Sequence, residues 1–272
     1  MGERIVIVSG RGGVGKTAFA AGLGTALARR GKRVLLIDAD TGMRCLDIAL
    51  GLESKVVYDA VDAVEGICKL RQAIVRDGRR PGLNFIAAAQ TRERGALTPD
   101  GLRSITTRIK DKYDCILIDA PTGIEQGFDS ACAGADSALL VMTPDPQGVR
   151  SAQRMVGLLE QRSLPEPKLI LNRVRPALIQ SGDMPPIETV QDALRLSVLA
   201  LMPEDADIMR ACASGMPLDA VSPAGRAFDE AARRLMGEDV PLELPKVRPQ
   251  FSRRLKSSIR VLRGAQEPER EE

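Results

Sequence analysis

The stretch Arg4–Thr17, RIVIVSGRGGVGKT, decides the fold. A short apolar run, Arg4–Ser9, leads into Gly10-Arg11-Gly12-Gly13-Val14-Gly15-Lys16-Thr17. That octet matches G-x-x-x-x-G-K-[ST] between a strand and a helix, the context that marks a phosphate-binding loop. Glycines let successive backbone N–H groups turn inward on phosphates, and the helix that follows brings its positive end to the same place. Lys16 is expected to reach the β- and γ-phosphates, and the Thr17 hydroxyl to ligate Mg²⁺. Residues 10–18, Ala18 included, form the expected nucleotide cradle.

Outward from the loop, apolar runs recur at Arg33–Asp38, Asn84–Ala89, Asp114–Asp119, Ser137–Thr143, Lys168–Asn172 and Val198–Met202. They are apolar on both faces, as strands covered by helices on each side must be. Helical patterns at 16–30, 98–112, 147–162, 186–195, 204–213 and 223–236 alternate with them. The rhythm predicts an α/β fold with a doubly wound, mostly parallel sheet. Two runs end in acid. Asp119 stands where a carboxylate holds magnesium through water, and Asp38 and Asp40 close the stretch RVLLIDAD, residues 33–40. An acid there orients the attacking water, a positioning role that needs no shifted pKa; the competing reading is a turn or helix-capping aspartate. The candidate catalytic residues are Lys16, Asp40, Arg11 and Asp38; the candidate magnesium residues are Thr17, Asp119 (through water) and Asp40.

The chain has 272 residues, 44% of them hydrophobic, five cysteines without a C-x-x-C pair and no histidine. Histidine bases and the usual zinc sites are excluded, and the cysteine usage fits a reducing cytoplasm. No apolar run is long enough to span a membrane, and the N-terminus lacks a signal peptide's apolar core. Three prolines between Pro241 and Pro249 suggest a linker, so the division is 1–245 for the folded domain and 246–272 for a tail. Residues 246–263 carry seven basic residues and no acid, which leaves the body near neutral and argues against nucleic-acid binding. On a helix of about 100° per residue, Phe251, Leu255, Ile259 and Leu262 share one narrow stripe opposite a basic face. That pattern suits in-plane binding to an anionic membrane; a helix packed on the protein itself or a solvated tail is the competing reading.

The motifs resemble the ParA/MinD family of deviant Walker A ATPases, and within it the MinD branch. Beyond the loop, Asp38-Ala39-Asp40-Thr41-Gly42-Met43-Arg44-Cys45-Leu46-Asp47 is similar to D-x-D-x-G-x-R-N-L-D. Asp119-Ala120-Pro121-Thr122-Gly123-Ile124-Glu125 is similar to D-x-P-A-G-I-E, and Asn172-Arg173-Val174-Arg175-Pro176 to N-R-x-x-P. The resemblance implies an ATP- and Mg²⁺-dependent homodimer, with adenine held by Asn172, Arg173 and the loop Pro203-Glu204-Asp205. It also implies a peripheral place on the inner face of the cytoplasmic membrane, a division inhibitor (MinC) as partner and an activator such as MinE. The implied function is placement of the cell-division site. The alternatives are a flagellar-number or ParA-like positioning ATPase, or a nucleotide-dependent membrane scaffold without hydrolysis. Cys132 alone does not supply the cluster cysteines of the nitrogenase iron-protein type. Three positions and the acidic end depart from the pattern. Arg11 replaces the signature lysine that reaches the partner's nucleotide, Ala18 replaces a hydroxyl residue, and Cys45 replaces an asparagine, where a small buried side chain is expected. The acidic end Glu267–Glu272 follows the tail helix.

Overall fold

The structure is a computed structural model and describes residues 2–41, 43–93, 95–123 and 127–246. In chain order its elements are β1 (Glu3–Val8), α1 (Lys16–Arg29), β2 (Val34–Asp38), α2 (Leu46–Leu50), α3 (Ala60–Val64) and α4 (Leu70–Ala73). Then come β3 (Val75–Arg76), β4 (Leu83–Ile86), α5 (Pro99–Ile109), β5 (Cys115–Asp119), α6 (Phe128–Ala133), β6 (Ser137–Met142) and α7 (Pro146–Glu160). The chain continues through β7 (Lys168–Val174), α8 (Pro176–Ser181), α9 (Ile187–Leu194), β8 (Val198–Pro203), α10 (Ala206–Ser214) and α11 (Pro223–Leu235). Phe251, Leu255, Ile259 and Leu262 lie outside the described residues, as do Ile124 and Glu125.

The strands form one eight-stranded sheet in the order β3-β4-β2-β5-β1-β6-β7-β8. Every pairing is parallel except β3 with β4, so the expected doubly wound sheet carries one short antiparallel edge. Each central strand feeds two cores. Ile5 and Ile7 of β1 pack with Phe19, Leu23 and Leu27 of α1 and with Phe228 of α11. Val6 and Val8 face the other way, toward Leu102 and Ile105 of α5 and Met155 of α7. Alternation of side chains along a strand makes this division automatic, and helices on both faces bury the apolar side chains that point each way.

Helix starts are marked by residues that satisfy the first free N–H groups. Thr98, Asp145 and Ser222 cap α5, α7 and α11, each followed by proline in the first turn. Helix α1 differs. Gly15 precedes it in a left-handed conformation with no side-chain cap, so its first N–H groups are left for a ligand. Among the described residues no helix is long and apolar enough to cross a membrane.

Candidate nucleotide site

Central strands end side by side at the carboxyl edge of the sheet. Asp38 closes β2 in register with Asp119, which closes β5, and Asp119 is also level with Ile7 of β1. Open α/β sheets bind ligands in this crevice. Helix α1 begins directly above it. Lys16 Nζ lies 2.6 Å from Asp119 Oδ1, and Thr17 Oγ1 donates to Asp119 Oδ2 at 2.7 Å. The ion pair is buried, with the two side chains 5% and 2% exposed. Asp38 accepts from the backbone N–H groups of Asp40 at 2.9 Å and Leu46 at 3.1 Å. Burial, and then the negative charge of Asp119, push the Asp38 carboxyl up to about 7 against those two N–H donors and Lys16. Two buried carboxylates thus share one ammonium. A hydroxyl and carboxylates are hard oxygen donors, and their excess negative charge fits a magnesium ion brought in with phosphates.

Gly15 makes the loop possible. Its φ is +92°, and a Cβ there would sit 2.3 Å from Asn172 Nδ2. Only glycine tolerates both demands. The end of β7 braces the loop from behind: Asn172 Nδ2 donates to the Val14 carbonyl at 2.6 Å, and the Arg173 guanidinium donates to the Gly13 carbonyl at 2.7 Å. Beside the loop opens a cavity of about 760 Å³. Gly15, Thr17 and Ala18 line it together with Asn172, Arg173 and Pro203–Asp205, and residues of α2 and α10 complete its lining. Asp205 caps α10 by accepting from the Asp207 N–H at 2.9 Å. The candidate adenine residues, well separated along the chain, therefore meet on one wall.

Residues 5–218 match the CobQ/CobB/MinD/ParA nucleotide binding domain. The chain is 44% identical over 249 residues to the septum site-determining protein MinD of Bacillus subtilis, covering 90% of this chain and 92% of that protein. It belongs to the MinD family. The MinC:MinD cell division protein complex of Aquifex aeolicus has a chain with a TM-score of 0.84 and 40% identity, over 90% of this chain and all of that one. MinD from Pyrococcus horikoshii, solved with Mg-ADP, has a TM-score of 0.79 and 31% identity, over 86% and 96% of the two chains.

The family departures have distinct surroundings. Arg11 lies against its own subunit: its guanidinium donates to Thr143 Oγ1 at 2.6 Å, Asp145 Oδ2 at 3.0 Å and Gln147 Oε1 at 3.0 Å. Asp145 also caps α7 through the Gly148 N–H at 2.8 Å. Burial would raise the Asp145 carboxyl, but the Thr143 hydroxyl, the Gly148 N–H and Arg11 together hold it below the ordinary range. Ala18 faces the cavity with a methyl group. Cys45 corrects the expectation of a small buried side chain: it is exposed at the start of α2 and lines the cavity. Partial desolvation and the charges of Asp38, Asp40 and Asp119 raise its thiol, so little reactive thiolate forms there. Asp40 is half-buried, and its carbonyl accepts from the Met43 and Arg44 N–H groups at 3.2 and 3.1 Å, which holds the turn leading to α2.

One group of residues at this site carries no clear mark in the sequence, and one quoted motif gains a pairing the sequence does not show. Thr143, Asp145 and Gln147 make the shelf for Arg11, and the only local signal is Asp145-Pro146, a capping pair at the start of a helix. Arg44 pairs with buried Asp47 at 2.6 Å, three residues along the same segment.

Proposed function

We propose that this chain is an ATPase of the MinD type that dimerises on ATP, holds to the inner face of the cytoplasmic membrane and places the division site by recruiting MinC. The observation that carries the reading is the Lys16–Asp119–Thr17 constellation opening into the cavity beside it. Loop N–H groups and the start of α1 bind the phosphates, and Lys16 exchanges Asp119 for the terminal phosphates. Thr17 and Asp119, the latter through water, would hold Mg²⁺, which supplies neutralisation of phosphate charge. Asp40 orients the attacking water, with Asp38 beneath it anchoring the turn through Asp40 and Leu46. Asn172 engages Val14 through its amide nitrogen, so its oxygen is the atom that accepts from the amine of adenine. Arg11 leaves Asp145 for the partner's nucleotide as the dimer closes. In the Aquifex aeolicus complex a MinD chain is paired with MinC, which supports MinC as the partner here, and a MinE-like activator completes the cycle.

Residues 246–272 supply the membrane contact in this reading. Full burial of Phe251, Leu255, Ile259 and Leu262 would contribute about 1.5–3 kcal/mol each, and an in-plane helix realises part of that. Basic residues near an anionic leaflet add about 1 kcal/mol apiece before ordering costs. One tail binds reversibly; two on one dimer gain avidity of about 10²–10⁴-fold. ATP then controls membrane residence through dimerisation alone.

Liposome sedimentation coupled to an ATPase assay tests this. Binding should require ATP and anionic lipid, fall with salt, and disappear in Phe251→Glu, while lipid and activator raise turnover. A Phe251→Glu protein that still sediments with liposomes in ATP places the membrane contact elsewhere. A wild-type protein with no turnover under any of these conditions leaves the scaffold reading.

A further inference from the structure

We propose that Arg80 is a positioning residue for nucleotide binding: it ties together the far ends of the two helices whose near ends flank the adenosine cavity. Helices α2 and α10 both start at the cavity. Cys45 and Ile48 line it from the first, Ile208, Met209 and Cys212 from the second. Their C-terminal ends meet just beyond its last lining residues, Ala49 and Ala213, where Gly51 and Gly215 touch backbone to backbone; a Cβ at Gly215 would lie 2.3 Å from Gly51 Cα. Both glycines adopt left-handed conformations that end their helices, with φ of +61° and +63°.

Arg80, in the turn between β3 and β4, reaches into that junction. It is 5% exposed. One arm of its guanidinium donates to the Leu50 carbonyl at 3.1 Å and pairs with buried Asp77, and the other donates to the Gly215 carbonyl at 3.0 Å. Its neighbour Arg79 donates to the Gly51 carbonyl at 2.9 Å and contacts Met216 Sδ at 3.6 Å. A cation suits the carbonyl ends of two helices, and the planar fork of arginine serves two such ends at once, which lysine cannot. Among the described residues Arg80 Nε has no hydrogen-bond partner, so the guanidinium acts through its two terminal nitrogens. What the buried charge does achieve is a fixed spacing between the cavity's flanks. The base end of the nucleotide lies between those flanks, whereas the phosphates rest on the loop and on Lys16. Loosening the clamp should therefore weaken adenosine recognition and spare the phosphates.

The inference rests on the proposed nucleotide reading, and two ligands separate them. Titration calorimetry would compare MgADP with magnesium tripolyphosphate, which reaches the loop alone. In Arg80→Lys the Kd for MgADP should rise about tenfold, with tripolyphosphate within twofold of wild type. Gly215→Ala, which wedges the same junction and leaves both arginines in place, should do likewise. On the unmodified protein, MgADP should slow amide exchange in the segment around Gly51 and Leu52, and tripolyphosphate should not; this needs no variant to fold. Unchanged MgADP affinity, equal losses for both ligands, or no ADP-specific protection would overturn the clamp. A wild-type protein that binds MgADP no better than tripolyphosphate would overturn the adenosine cavity and the clamp with it.

Discussion

Replacing Asp38 by asparagine should stabilise the nucleotide-free protein at pH 8 and do so far less at pH 5. Asp38 is 1% exposed and stands beside Asp119, which is why its carboxyl is pushed up to about 7. A carboxyl whose pKa is raised on folding keeps its proton in the folded state after the unfolded chain, near pH 4, has released its own. Stability is then greatest below pH 4 and is lost as pH rises toward 7. Each pH unit in that window is worth about 1.4 kcal/mol, so the parent loses about 2–3 kcal/mol between pH 5 and pH 7 through this one group. Asparagine carries no charge at either pH. Like the protonated acid it offers one strong acceptor to the N–H groups of Asp40 and Leu46, so the two differ by an offset that does not change with pH. The checkable quantity is therefore the gap between variant and parent, which should widen in the variant's favour by about 2–3 kcal/mol from pH 5 to pH 8. Urea unfolding in EDTA without nucleotide measures it, provided the slopes agree. The same substitution should depress ATP turnover, the usual exchange of stability for function at a site built of like charges. A gap of equal size at both pH values would refute the assignment of the buried charge to Asp38.

Gly15→Ala should lose about 1.5–3.5 kcal/mol, from the left-handed conformation at about 1–2 kcal/mol and the displaced Asn172–Val14 bond at about 0.5–1.5 kcal/mol, and should bind neither MgADP nor tripolyphosphate; retention of either ligand would count against the loop geometry. Phe228→Ala, which empties the space over Gly22 beside Phe19 (ring centroids 5.9 Å apart), should cost about 3–5 kcal/mol in urea unfolding and leave ADP affinity in the folded protein unchanged.

What could be read in advance follows the range of the physics involved. The phosphate loop and the central strands are local patterns: glycine spacing, a lysine-threonine pair, and runs of β-branched and aliphatic residues buried on both faces. Helices α5, α7 and α11 are long enough to show a period and carry capping residues at their starts. Helices α2, α3 and α4 span four or five residues, too few for a period, and β3 has only two, so no helix or strand is legible between Leu46 and Arg76 although family motifs fall there. The site divides the same way. Lys16, Thr17 and the strand-end aspartates were legible from their positions in the pattern. Asn172 and Pro203–Asp205 were reachable only through the family resemblance, because it is the order of strands β1, β6, β7 and β8 that carries them to one wall. The contact of Arg11 with Asp145 bridges 134 residues, and nothing near either residue announces it.

The two cations of the loop are held with unequal strength, and the inequality sets an order of events for the proposed cycle. Lys16 and Asp119 form a pair sealed from water, and removing one partner from such a pair without replacement costs about 3–5 kcal/mol. Lys16 can therefore move only to something at least as negative, and Asp119 must gain a cation at the same moment. A magnesium nucleotide meets both conditions in one step; a stray anion meets one. The Arg11–Asp145 pair is about a third exposed on each side, where an ion pair is worth about 0–1 kcal/mol. Arg11 is thus free to exchange partners whenever a second negative group approaches, and the approaching group in a face-to-face dimer is the partner's nucleotide. Nucleotide must come first, since without it neither subunit offers Arg11 anything better than Asp145. Dimerisation follows, and the doubling of tails follows from that. A membrane switch needs such an order, because tails that paired before nucleotide bound would hold the protein on the bilayer in every state.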